Sequence, residues 1–382
     1  MPRPVAKHEA GQKEMENHNN RHTRPNTVRT YSDTLLLMRF SALGDVAMTV
    51  PVVKALAEKC PDTHIVFASR PFAATFYDNL ADNVTFLPID LKDKRYKGLT
   101  GMERLYQTLA GQQPDQVIDL HDVLRTKYAR MRFRIAGIPV SCIDKHRSSR
   151  RLLTRQGAKA AGSLPTAFEN YAAAIAQAGR SILIHPERQE ILKTDSSTLS
   201  PHAAALCNQI DTAASPAVGI APFAAHAGKI YPLHLMEEVI RILVSRHPGT
   251  NILLFGGGAK EKAVFDTWCG GYENMVFASA RCNGMKEELT LISRLDCMVS
   301  MDSANMHLAS LVGTPVVSIW GATHPAAGFL GWGQSLDDTV QTDLDCRPCS
   351  IYGNKACRKK DYPCLCRITP DEIVRKIEAH LR

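Results

Sequence analysis

The chain reads as an α/β protein of two domains, each a parallel sheet wrapped by helices, facing one another across a cleft. Three observations predict this. At 382 residues the chain is too long for one ordinary core, and two domains are expected. Short apolar runs alternate with longer amphipathic ones, as in strands joined by crossover helices. That rhythm occurs twice, interrupted by a weakly patterned stretch near residues 181–215. Two such halves put a cleft between them, with the strands' carboxyl ends facing it.

Taken in order, residues 1–33 are polar and nearly free of apolar side chains, so a disordered extension is expected there. A first domain is assigned to residues 34–185. It opens with the apolar run at 35–38, which breaks at 39–43 and turns at Gly44, leaving Asp45 at the mouth of an amphipathic segment, 46–57. A carboxylate just past a strand's carboxyl end stands where open α/β sheets place their chemistry, although Asp is also a common helix cap. HIVFAS (64–69), VTFLPI (84–89) and DQVIDLH (115–121) read as further strands, and the Ala-rich 166–178 as a helix. Residues 186–215, with Pro186, Pro201 and several serines, are assigned to a linker. The second domain, 216–382, repeats the pattern: strands at 217–222, 251–258, 275–279, 296–301 and 315–321, with helices at 232–246, 286–295 and 304–312. Pro232 suits the first turn of its helix.

Composition excludes several classes. No apolar run approaches the roughly 20 residues that cross a bilayer. The N-terminus has charges but no apolar signal core, so a cytoplasmic protein is expected. The formal charge is +8, and between His121 and Ala160 eleven Lys and Arg face only Asp122 and Asp144. Such a block implies an anionic partner (nucleic acid, phosphorylated lipid or an anionic membrane surface) unless it is merely a solvated basic face. Eleven cysteines also cluster: Cys346, Cys349, Cys357, Cys364 and Cys366 fall within 21 residues. The opening C-x2-C has zinc-ligand spacing, but no matching pair follows. A Cys-rich loop without metal is the expectation, with a structural zinc at Cys346, Cys349, Cys357 and Cys364 as the alternative.

Familiar motifs are absent. GGGAKE (256–261) lacks the third glycine of a dinucleotide fingerprint, and no triphosphate P-loop, HExxH or GxSxG occurs. What remains is a set of residues at strand ends of the second domain. Lys229 lies between a strand and the helix opened by Pro232, and Asp302, Ser303 and Ala304 lie at a later strand-to-helix turn, with His307 one turn along. Free N–H groups at a helix start, with the Ser303 hydroxyl and a lysine beside them, make a phosphate site. Each residue alone also has a dull explanation as a cap, a surface lysine or a packed histidine.

RFSALGDVAMTVPVVKAL (39–56), G-K-x-Y-P (228–232) and D-S-A-x-M-H-L-A (302–309) together make the chain resemble glycosyltransferase family 9, the lipopolysaccharide-core heptosyltransferases. The resemblance runs from Leu35 to Arg382. It implies a GT-B architecture of two Rossmann-like domains, acceptor-binding then nucleotide-sugar-binding, and an inverting, metal-independent transfer with no cofactor. By position it makes Asp45 the general base, Lys229 the donor-phosphate lysine, and Asp302, Ser303 and His307 a donor-site cluster, with Ala304 where the family often has glycine. It implies ADP-heptose as donor and a Kdo-lipid A acceptor met by the basic block (Arg125, Lys127, Arg130, Arg147, Arg150, Arg151) at the inner face of the inner membrane, and no nucleic-acid partner. The chain departs from the family at Ala224 and Ala225, where hydroxyl residues are common, and at Tyr231, where Trp is common. The ribose-binding carboxylate aligns with either Glu287 or Glu288. A family 9 transferase using another nucleotide sugar for a different surface glycan is the alternative, and a non-catalytic binder of anionic lipid or nucleic acid through the basic block is a third reading, which leaves Asp45, Lys229 and Asp302 unexplained.

Overall fold

The structure, a computed structural model, describes residues 31–381; most of the expected polar extension lies outside the described residues. Two sheets are present, and every pairing within them is parallel. The first contains β1 (Asp33–Met38), β2 (Thr63–Ser69), β3 (Val84–Pro88), β4 (Gln116–Asp119) and β5 (Val140–Cys142), in the order β3-β2-β1-β4-β5. The second contains β6 (Ala217–Ala221), β7 (Asn251–Leu254), β8 (Met275–Phe277), β9 (Cys297–Met301), β10 (Val316–Trp320) and β11 (Thr339–Gln341), in the order β11-β10-β9-β6-β7-β8. Both are doubly wound Rossmann-like sheets, as the alternating pattern predicts.

Helices cover both faces of each sheet, which is why β1 is apolar throughout its core rather than alternating. Leu35, Leu36, Leu37 and Met38 are all fully buried. Leu36 pairs in register with Val66 and Val117 and packs on Leu105 and Phe133 of one helical layer. Leu35 and Leu37 face the other layer, with Val53, Leu56 and Ala174. Truncating any of these leucines to alanine costs about 2–5 kcal/mol. In the second half Val218 and Ile220 pack on Met236 and Ile240 of helix Leu233–Arg246 and on Val374 and Ile377 of the last helix, Pro370–Glu378.

The halves are joined along the backbone. Leu164 N–H donates to Ala326 O and Ala167 N–H to Gly328 O, both at 2.8 Å, and in the connecting stretch Ile191 and Leu192 N–H both donate to Leu311 O of the second half at 2.9 Å. Gly328 has φ +81°, and a Cβ there would lie 2.4 Å from Pro165 O, so only glycine fits the joint.

Three sequence expectations are corrected. Segment 46–57 is two helices, Leu43–Ala47 and Val50–Lys59, because Pro51 starts a new first turn where its missing N–H costs nothing. Asp45 therefore lies inside the first helix rather than before the second. The assigned linker contains helix Pro201–Thr212, capped by Ser200 Oγ, which accepts from Ala203 N–H. β1 begins at Asp33, within the stretch expected to be disordered. Among the described residues no helix is long and apolar enough to cross a membrane.

Candidate active site

Strand order decides where the site forms. In the first sheet the winding reverses at β1, and in the second it reverses between β6 and β9; crevices open at such switch points. The helix after β1 carries Asp45, the segment after β6 carries Lys229, and β9 ends directly before Asp302. All three line one cleft of about 560 Å³, together with Ser303, Ala304 and His307. The structure thus brings Asp45, Lys229, Asp302, Ser303, Ala304 and His307 to one cleft.

Asp45 is the third residue of helix Leu43–Ala47, and its Oδ2 accepts the Ala42 N–H at 3.0 Å. Its Oδ1 lies 2.9 Å from Arg39 Nη2. Burial alone would raise the Asp45 pKa, but the Arg39 charge, the Ala42 amide and the Arg39 hydrogen bond outweigh it and hold the carboxyl below its usual range. Arg39 is itself fixed: it is buried, donates to Leu120 O, and stacks over the Tyr171 ring at 5.4 Å. Tyr171 in turn donates its hydroxyl to Asp45 O at 3.1 Å. Sequence reading missed Arg39 and Tyr171 as partners of Asp45. Arg39 stands in the quoted motif, but only the fold shows that its side chain turns back onto the carboxylate.

On the other wall, Lys229 Nζ lies 2.9 Å from Asp302 Oδ2, with both side chains largely buried. The stem of Lys229 is clamped by the Cys-rich loop: Gly353 has φ +75°, and a Cβ there would fall 2.5 Å from Lys229 Cγ. Asp302 and Ser303 lead into helix Ala304–Leu311, whose cap residue is Ser303, so the first N–H groups of that helix lie beside the lysine. The Ser303 hydroxyl is 3.2 Å from Ser300 Oγ. His307 is buried and its Nδ1 has no partner among the described residues. Burial drives its pKa down to about 4, with Asp302 and Asp45 opposing, so the ring is neutral at pH 7.

The two walls meet at Gly44. A Cβ there would lie 2.7 Å from His307 Cδ2, so the glycine lets the helix bearing Asp45 dock against the helix bearing His307. The two candidate ribose carboxylates separate cleanly. Glu287 is consumed by Ser200 N–H at 2.7 Å, Ser200 Oγ at 2.8 Å and Asn283 N–H at 2.7 Å. Glu288 lines the cleft instead, and burial raises its pKa.

Beyond Asp45 a smaller cavity of about 190 Å³ is lined by Arg39, Ser41, His121, Lys145, Arg150 and Tyr171, among others. It shares Tyr352 and Arg150 with an open groove of about 360 Å³ that Arg147 and Arg151 also line. Arg150 donates to the Tyr352 hydroxyl at 2.7 Å. The rest of the basic block lies elsewhere. Arg130 is held by Asp119 at 3.3 Å and Asp122 at 3.0 Å, Lys127 lies 3.8 Å from Asp122, and neither these two nor Arg125 lines the described cavities.

The Cys-rich loop is fastened by Arg347, a buried side chain that donates to Gly321 O at 2.6 Å, Thr323 O at 2.9 Å and Trp320 O at 3.1 Å beyond β10. Cys346, Cys349, Cys357 and Cys364 are free thiols. Burial, with the other thiols adding to it and Arg347 opposing, lifts Cys364 to about 11. Among the described residues the one group whose ligand atoms all lie within 4.8 Å of one another is Asp119, Asp122 and Cys142. The carboxylates of that trio already face Arg130, Lys127 and Arg147.

Comparison with known proteins places this geometry. The fold is similar to that of Escherichia coli ADP-heptose LPS heptosyltransferase II, at 17% identity and a TM-score of 0.62, over 91% of this chain and 98% of that one. A family 9 glycosyltransferase from Veillonella parvula matches at 15% identity and 0.66, over 92% and 97%. E. coli heptosyltransferase WaaC with ADP matches at 16% and 0.60, over 91% and 99%. A search of curated protein sequences finds no match. Residues 102–359, about two thirds of the chain, match the sequence profile of glycosyltransferase family 9 (heptosyltransferase), and the chain belongs to that family.

Proposed function

We propose that this family 9 glycosyltransferase moves heptose from ADP-heptose to a Kdo-lipid A acceptor of the lipopolysaccharide inner core, with inversion and without metal or cofactor. The observation that carries the reading is one cleft with a fixed carboxylate on one wall and a lysine beside a helix start on the other. The similar E. coli folds, one described as an ADP-heptose heptosyltransferase and one bound to ADP, support this donor.

In this reading the acceptor hydroxyl enters from the side of Arg39 and Tyr171. Its oxygen forms a bond to the anomeric carbon while the bond from that carbon to the diphosphate oxygen breaks. The hydroxyl proton passes to Asp45, which its low pKa keeps ionised and ready. Charge then builds on the nucleoside diphosphate, where Lys229 and the N–H groups after Ser303 stabilise it without reorganising. Asp302 holds the ammonium in place, neutral His307 packs between the two walls, and Glu288 accepts from the ribose. Arg147, Arg150 and Arg151 meet the anionic groups of the acceptor from the groove that leads to Asp45, and the enzyme works on the inner face of the membrane that holds that acceptor.

A second reading, another nucleotide sugar as donor, is favoured by Ala224 and Ala225, which line the cleft without a hydroxyl to offer. One experiment tests both. Purified protein with ADP-heptose and Kdo-lipid A should add the mass of one heptose; product from a different nucleotide sugar alone selects the second reading, and product from none refutes both.

A further inference from the structure

Helix Leu124–Ile135 turns Thr126, Ala129 and Phe133 inward. Its outward side carries Leu124, Met131 and Ile135, which are 76%, 48% and 75% exposed. At ~100° per residue these three fall within about 40° of one another, forming one stripe about 16 Å long. Large apolar side chains scattered singly over a surface need no explanation, but a helical stripe of them does. The same helix carries Arg125, Lys127, Arg130, Arg132 and Arg134 and no acid. Arg125 and Arg134 have no acidic partner among the described residues, whereas Arg132 is paired with Glu103. An apolar stripe flanked by cations is the pattern of a helix lying in a membrane interface.

Leu124 follows closely on His121, which lines the acceptor-side cavity. Leu99, 76% exposed, stands in the first turn of the neighbouring helix Gly98–Ala110, and Leu152, 45% exposed, follows Arg151, which lines the basic groove. We propose that helix Leu124–Ile135 is the membrane-docking element: Leu124, Met131 and Ile135 enter the acyl boundary of a bilayer rich in anionic phospholipid, and the flanking cations meet its headgroups. This rests on the lipid-acceptor reading above and names the surface through which the enzyme reaches that acceptor. Two other occupants fit less well. A second copy docking symmetrically on this helix would set five cations against five. A nucleic acid gains little from aliphatic side chains, and the helix's one tyrosine, Tyr128, is tied to Glu103.

The test is flotation with vesicles of phosphatidylcholine alone or with 40% phosphatidylglycerol, without donor or acceptor, so that failure of the chemistry is read separately. The wild-type protein should partition at least about tenfold more onto the anionic vesicles, and the triple variant Leu124→Ser, Met131→Ser, Ile135→Ser should lose about tenfold with an unchanged melting temperature. In Ile135→Trp, the new indole should be quenched by brominated lipid in the anionic vesicles. Equal binding by the triple variant, or no quenching, overturns insertion and leaves electrostatics alone. A wild-type dimer that the triple variant lacks makes the stripe a contact between copies and overturns the proposal. Transfer to a delipidated acceptor, assayed in parallel, should be the same in both proteins; its failure in both counts against the proposed reaction and not against docking.

Discussion

Replacing Gly44 by alanine should destabilise the protein, and replacing His307 as well should reverse the sign. The added Cβ would lie 2.7 Å from His307 Cδ2, about 0.8 Å inside the ~3.5 Å at which two carbons rest. Relieving such overpacking typically costs about 1–3 kcal/mol. Gly44 lies within helix Leu43–Ala47 at no positive φ, so alanine also gains up to about 1 kcal/mol of helix propensity. The net expectation is a loss of about 0.5–2 kcal/mol. With His307→Ala in place, the next neighbour of the new Cβ is Ala304 Cα at 3.5 Å, an ordinary contact. Only the propensity gain then remains, and Gly44→Ala should stabilise by up to about 1 kcal/mol. A double-mutant cycle in urea, with midpoints compared at constant slope, measures this. Additive effects would refute the claim that these two helices touch through Gly44 and His307.

Three further outcomes are expected. Asp45→Asn should lower kcat about 100-fold to 10,000-fold while calorimetric affinity for ADP stays at the wild-type level; full activity would reduce Asp45 to a helix residue. Lys229→Ala and Asp302→Ala should weaken ADP binding, and the lysine variant should also lose kcat; activity should persist in excess EDTA, and strict dependence on added Mg²⁺ or Mn²⁺ would contradict the role given to Lys229. His121 is pushed down to about 3, chiefly by burial and then by Arg39 and Lys145, so the unfolded chain binds a proton there that the folded chain does not. Its contribution to stability is complete above the ordinary histidine value near 6.5 and falls as pH drops from there towards about 3. His121→Asn should therefore flatten the decline in unfolding free energy between pH 6 and 4 by up to about 1.4 kcal/mol per pH unit; an unchanged slope would show that this ring is already charged when folded.

Much of this molecule is legible in its sequence, for definite reasons. The buried strands are continuous apolar runs, so β1, β6 and β9 are readable within a residue or two, and with them the strand ends where Asp45, Lys229 and Asp302 stand. Edge strands β5 and β11, three residues each, carry too few side chains to print a pattern. Helix Pro201–Thr212 hides among prolines and serines because its signal is a cap rather than a periodicity. The site's second layer is hidden for another reason. Arg39 reaches Leu120 and Tyr171, 81 and 132 positions along the chain, and nothing local announces such pairs. Glu287 and Glu288 are neighbours in sequence, yet helix geometry sends one to Ser200 and the other to the cleft.

One part of the joint between the halves is written in main chain. Amides of residues 164 and 167 meet carbonyls of 326 and 328, and of these four residues Gly328 alone has its type dictated by the contact. Amides and carbonyls are common to nearly every residue, so selection at this seam acts on where the chain runs and hardly on what it is made of. Side chains at those positions can change without breaking these bonds, which leaves the path of the chain to set how the halves meet there. The fold itself is shared over nine tenths of the chain at 15–17% identity.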